Sequence, residues 1–280
     1  MVAAHFVEQR HHDAQARIDE IFAKSNSRIL SPYTPSLASR HEVFERLRRN
    51  QRNILLLGRS QVGKSTFKTV LADPTRISEI IKPYSQTEFP LFEQYAVKGT
   101  DMIINFIDTP GLFQQTKSLP DNTTIMQLID GYIRSKVTQL HFVCFCISIE
   151  TKLNADDLQT IQNFFTIVGP DIRKNTCIII TKCESKTEHQ LFARLKEAET
   201  NVDFKLLSSQ LKQGIFFTGA VNHDDWIDTS NSVYQQFETI CEYRNKLLNR
   251  FIDSDVKPFD LNANVLARKI REETRKRNVN

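Results

Sequence analysis

The chain has 280 residues, 40% hydrophobic and 25% charged, which is enough for one large α/β domain with appendages or for two small domains, each with a real core. Its net charge of +4 is concentrated: from residue 261 onward Arg268, Lys269, Arg271, Arg275, Lys276 and Arg277 stand against Glu272 and Glu273, so the remainder is formally neutral and no nucleic-acid-binding core is indicated. No apolar run approaches a membrane span, residues 1–10 lack a signal-peptide core, and five cysteines without a C-x-x-C pair point to reduced thiols in a cytoplasmic protein.

Residues 1–51 read as a helical preface. An amphipathic stretch at 6–23 carries Ile18, Ile21 and Phe22, breaks follow at 25–27 and 31–36, and a second helical stretch covers 37–49. Ile54, Leu55, Leu56 and Leu57 then form a short buried strand, followed by a glycine-punctuated turn and a helix that ends near Leu71, before Asp73-Pro74. Residues 75–88 are polar and without pattern. Strands at 89–97 and 102–107 join through Lys98-Gly99-Thr100-Asp101 as a hairpin. A helix is expected at 123–137, a buried strand at 140–149, and a helix at 155–168 with Asn154 as its cap and Gly169-Pro170 as its stop. Cys144 and Cys146 alternate on that strand and read as buried thiols, not metal ligands. Further strands fall at 177–180 and 215–217, with a polar helical segment between them, and a long helix covers 233–251. Strands alternating with helices predict an α/β fold: a mostly parallel sheet with one antiparallel edge strand and helices on both faces.

Chemistry gathers where strands end. Gly58-x-x-x-x-Gly63-Lys64-Ser65 lies between a buried strand and a helix, the context of a phosphate-binding P-loop. Glycines let successive backbone N–H groups curl inward, and the helix behind adds its free N–H groups and the positive end of its dipole. Lys64 would reach the β/γ-phosphates and the Ser65 hydroxyl would hold Mg2+. Asp108-Thr109-Pro110-Gly111 supplies a strand-end carboxylate for the magnesium shell and, at Gly111, an unobstructed N–H for a γ-phosphate oxygen. Thr87 is assigned as the loop threonine that closes on the metal and γ-phosphate, with Thr75 and Ser85 as competitors. In Thr181-Lys182-Cys183-Glu184 a carboxylate can accept from guanine N1–H and its 2-amino group, donors that adenine lacks. Lys182 would lay its stem along the base and brace the P-loop, while Thr218-Gly219-Ala220 offers backbone N–H to guanine O6.

In this order the motifs resemble the five G motifs of the translation-factor-related GTPases. Asp108 to Phe113 and the run from Gly169 to Asn175 look most like the AIG-type G domain of the immune-associated nucleotide-binding (GIMAP) family, relatives of septins and chloroplast import GTPases. The resemblance covers roughly 52–251 and implies a P-loop NTPase G domain at 52–252 between the helical extension at 1–51 and a basic, partly helical tail at 253–280. It implies GTP/GDP and Mg2+ as cofactors: Ser60, Gln61, Val62, Gly63, Lys64, Ser65 and Thr66 around the phosphates, Ser65, Thr87 and Asp108 at the metal, and Lys182, Glu184, Gly219 and Ala220 at guanine. Lys64, Thr87 and Gly111 fall to catalysis. It further implies nucleotide-dependent homo-oligomers formed across the G-domain face.

Glu184 stands where many GTPases have Asp, and Leu112 where many have the glutamine that orients the attacking water. The expectation is therefore slow hydrolysis, raised by dimerisation or a partner. A septin-like scaffold without turnover and an ATP-using P-loop protein are the alternatives. The basic tail would touch a membrane at most peripherally, having no hydrophobic anchor.

Overall fold

The computed structural model describes residues 2–33, 50–75, 77, 91–109, 131, 138–151 and 155–262. The expected helix at 37–49, that at 123–137 apart from residue 131, most of the loop at 75–88, the Asn154 cap, Thr87, Gly111 and the basic run from 268 onward lie outside them.

The run Ile54 to Leu57 is apolar on both faces because the strand holding it, β2 (Gln51–Leu57), is the middle of the sheet. It pairs in parallel with β4 (Ile103–Asp108) on one side and β6 (Phe142–Ser148) on the other. Beyond β6 lie β7 (Thr176–Thr181) and β8 (Ile215–Phe217), also parallel. β3 (Leu91–Val97) runs against β4, as the hairpin pattern predicts. The full order of the seven-stranded sheet, with β1 (Leu30–Pro32) at one edge, is β1-β3-β4-β2-β6-β7-β8.

One element at this edge departs from expectation. Residues 31–32, read as the start of a break, join Leu30 to form β1 (Leu30–Pro32) and pair antiparallel with β3, covering its outer side. Leu30 is buried and sits opposite Val97, which anchors the register. Three residues are too few to show alternation, and Pro32 is tolerated because it ends the outermost strand, where its missing N–H costs no ladder bond. The C-terminal side departs likewise. Residues 253–262, assigned to the tail, fold back as β9 (Phe259–Asp260) against β5 (Gln139–Leu140), burying Phe259 and Leu261 in the core.

Each face of the sheet buries one periodicity of the strands. Leu55, Leu57, Val143 and Phe145 meet Leu158, Ile161, Phe164 and Phe165 of α3 (Ala155–Val168). Ile54, Leu56, Phe106 and Cys144 meet Phe67 and Leu71 of α2 (Lys64–Ala72) and Leu247, Leu248 and Phe251 of α7 (Ser232–Asp253). Gly169, with φ of 119°, stops α3 as expected. The polar segment divides into α4 (Glu188–Ala198) and α5 (Val202–Gln210), and α6 (His223–Ile227) precedes α7. Ile18 of α1 (Val2–Lys24) is fully buried among Val70, Val233, Phe237 and Ile240, so the first helix is part of the packed body. From α7, the buried Arg244 donates through Nε to the carbonyls of Val70 (3.2 Å) and Leu71 (3.0 Å), closing the C-terminal end of α2. No helix among the described residues is long and apolar enough to cross a membrane.

His141, between β5 and β6, accepts the Asn53 N–H on Nδ1 at 3.1 Å, and burial together with the nearby Arg52 holds its pKa down at about 4. An unfolded histidine takes its proton near 6.5, so between pH 6.5 and 4 the unfolded chain binds more protons and stability falls with acid. Taking the protein from pH 7 to 5 is therefore expected to cost about 2 kcal/mol through this group. Urea unfolding at both pH values should show a shallower pH slope in His141→Gln; an equal slope would refute the assignment.

Candidate functional site at the carboxyl ends of the strands

β2 ends in a loop whose backbone is bent by positive φ at Gly58 (142°), Gln61 (62°) and Gly63 (91°). At Gly58 this freedom is required twice over, since a Cβ there would also run into the backbone carbonyl oxygen of Cys146 on β6. Gly63 is the N-cap of α2, and Val62 has its side chain in the core, leaving only its backbone for the loop. Ser60 and Thr66 are half-buried and Gln61 is exposed. The result is a concave run of backbone feeding a helix N-terminus, the shape that sequence spacing predicts for an anion cradle.

Lys64 is only 6% exposed, and its Nζ donates to the carbonyls of Gly58 (3.1 Å) and Arg59 (2.8 Å). Burial pushes its pKa below the ordinary lysine value, against the pull of the Cys146 thiol and Asp108. One residue on, Ser65 Oγ donates to Asp108 Oδ2 at 2.8 Å. Parallel pairing sets this up by placing Asp108 opposite Leu56, one residue before β2 ends. Asp108 is fully buried, and its Oδ1 has no hydrogen-bond partner among the described residues. A carboxylate oxygen without a partner beside a hydroxyl is a hard-oxygen pair that fits Mg2+, which takes few protein ligands and keeps several waters. No group of three or more His, Cys, Asp or Glu suited to a metal occurs among the described residues, so a dense all-protein metal cage is not the pattern here. Thr109 turns inward, its hydroxyl on the Leu56 carbonyl at 2.8 Å.

The ends of β7 and β8 adjoin the same loop. Thr181 Oγ1 donates to the Val62 carbonyl at 2.5 Å and sits 3.5 Å from where a Cβ on Gly63 would lie. Thr181 therefore braces the P-loop, the task expected of Lys182. Lys182 adopts φ of 62° and pairs with Glu150, two residues beyond β6 (Nζ–Oε2 2.5 Å). Glu184 is largely buried, which raises its pKa, and its carboxylate draws its own N–H and that of Ala220. Its Oε2 is buried with no hydrogen-bond partner among the described residues. Gly219 has no room for a side chain, since a Cβ there would lie 2.6 Å from the Glu184 backbone nitrogen. Glu184, Gly219 and Ala220 thus come together as predicted.

Three further residues were not singled out from sequence. Glu150 holds Lys182; Asp157 on α3 holds Arg59 of the P-loop at 2.9 Å; and Lys68 on α2 reaches Glu93 on β3. Only Lys68 left a trace in the sequence, one helical turn after Lys64 and three residues after Ser65, on the side facing β4. The other contacts join elements that are distant in the chain.

Over 140 residues, 49% of its length, the chain is 32% identical to GTP-binding protein A of Dictyostelium discoideum and spans 29% of that protein's length. The structure of Toc33 from Arabidopsis thaliana in complex with Mg2+ and GMPPNP is similar at a TM-score of 0.47 and 16% identity, over 79% of this chain and 95% of that one. A bacterial selenocysteine-specific elongation factor, EF-Sec, is similar at a TM-score of 0.42 and 14% identity, over 68% of this chain and 29% of that one. The AIG1 family model matches residues 52–217. A match that begins in the central strand, takes in the phosphate loop, Asp108 and Glu184, and ends with β8 exceeds half the sequence, and by it the chain belongs to the AIG1 family.

Proposed function

We propose that this chain binds a guanine nucleoside di- or triphosphate with Mg2+ and hydrolyses the triphosphate slowly, as a switch or assembly module. One observation carries the reading. A phosphate cradle, a buried carboxylate bonded to an exposed hydroxyl, and a second buried carboxylate with an unpartnered oxygen stand at the carboxyl ends of strands in one sheet, where open α/β sheets take ligands. Family membership and the name of the Dictyostelium relative support the same ligand. The free, buried thiols suit a cytoplasmic setting.

In this reading the backbone from Ser60 to Thr66 and the Lys64 ammonium take the phosphate charge, and Ser65 and Asp108 hold Mg2+, with Thr87 closing over it. The metal would supply charge neutralisation between the β- and γ-phosphates. Gly111 offers its N–H to the γ-phosphate. Glu184 reads the base through its unpartnered oxygen, flanked by Lys182, Gly219 and Ala220. Slow turnover follows from two features: Leu112 follows Gly111 where a glutamine would serve, and Arg59 is committed to Asp157. A group supplied by a second copy across the nucleotide face would raise the rate.

Competition of GTP against ATP, with Mg2+ present, tests the assignment. Wild type should prefer GTP, and Glu184→Ala should lower that preference by about 10- to 100-fold, the worth of hydrogen bonds to a buried charge. An unchanged preference would remove Glu184 from the base site. Phosphate release per molecule should rise with protein concentration; a rate flat with concentration would remove the contribution in trans.

A further inference from the structure

Lys68 lies one turn beyond Lys64 on α2 and is equally buried, at 6% exposed. Its ammonium is 2.5 Å from Glu93 Oε1 and 3.8 Å from Asp108 Oδ2. Tyr95 Oη donates to the second oxygen of Glu93 at 2.6 Å, so that carboxylate is held from both sides. Asp108 Oδ2 accepts from Ser65 at 2.8 Å, while Oδ1 is buried without a partner among the described residues. The oxygen pair assigned to Mg2+ therefore has a lysine on its flank, 3.8 Å from Asp108 Oδ2.

A fixed positive charge beside a carboxylate opposes a second cation on it, and in a buried setting that repulsion is weakly screened. A carboxylate bound to the fixed cation offsets part of the repulsion. We propose that Lys68 is a built-in competitor for the metal, setting how much free Mg2+ the site requires, and that Glu93 sets how much of the lysine's charge Asp108 feels. The inference rests on the guanine nucleotide and Mg2+ reading above. Were Lys68 only a tie between α2 and β3, breaking the tie from either end would loosen the site in the same direction. As a competitor, the two ends act oppositely. Removing Glu93's charge leaves the lysine facing Asp108 alone, whereas removing both charges relieves Asp108.

The experiment is release of a fluorescent GDP from the full chain across a series of free Mg2+ concentrations, taking the concentration that half-protects the nucleotide. Glu93→Gln should raise that midpoint by about threefold or more, and Lys68→Met with Glu93→Gln should lower it below wild type, by about tenfold. Opposite shifts support the proposal. Shifts in one direction, or midpoints within twofold of wild type, overturn it, as does a wild type whose nucleotide release ignores Mg2+. If the double variant does not fold, Lys68→Gln decides in its place, a midpoint below wild type supporting the proposal and a rise or no change overturning it. A wild type that holds no guanine nucleotide at any Mg2+ concentration overturns the functional reading itself, separately from the role of Lys68.

Discussion

Lys64→Met is expected to weaken binding of GDP or GTP by about 100- to 1,000-fold while leaving the fold in place. The lysine is buried in the P-loop with its ammonium on the Gly58 and Arg59 carbonyls, and burial already works against its charge. Replacing a desolvated charge by an apolar side chain of similar length forfeits two hydrogen bonds but also removes the desolvation cost, so stability should change by only about 1–2 kcal/mol. Against a phosphate no such offset exists. The anion loses its nearest cation in a site walled by buried strands, a loss of about 3–4 kcal/mol, which gives the stated factor. Calorimetric titration with GDP and Mg2+, paired with urea unfolding, measures both quantities. A folded variant that binds within threefold of wild type would refute the cradle assignment.

Gly58→Ala should do the reverse, damaging the fold first. The backbone at residue 58 has φ of 142°, which L-residues rarely adopt, and the added methyl would meet the Cys146 carbonyl in the neighbouring strand. Neither partner can yield, because Cys146 belongs to β6, in the centre of the sheet. The combined cost is about 3 kcal/mol or more. Gly214→Ala is the control: its φ is 82°, but nothing lies within 4 Å of the added atom, so about 1 kcal/mol is expected. Urea unfolding of the two variants side by side separates clash from backbone preference. Equal losses would mean that the close approach to β6 contributes nothing.

The elements with long repeats were legible in advance. The 155–168 helix was expected where it lies, because Leu158, Ile161, Phe165 and Val168 recur at helical spacing and Gly169-Pro170 marks the stop. The long C-terminal helix was expected within about two residues at each end, and Val233, Phe237, Ile240, Leu247 and Phe251, which recur along it at helical spacing, are all buried. β1 and β9 were not foreseen, since strands of three and two residues carry no periodicity and exist only because a partner strand awaits them. The same division runs through the site. Gly63, Lys64, Ser65 and Asp108 could be named from spacing and strand ends, whereas Lys68–Glu93, Lys182–Glu150 and Arg59–Asp157 join residues 25, 32 and 98 positions apart.

Sequence alone thus determined which residues would form the bent loop after the central strand and which strand ends would carry carboxylates, because glycine content, apolar runs and the polar residue closing each run are local properties of the chain. Tertiary structure alone decided where the charges on those residues went: which lysine lies against which carboxylate, which oxygens are left without a partner, and that Thr181 instead of Lys182 braces the loop. Charge pairing depends on distance through space, and that distance is set by strand order and register.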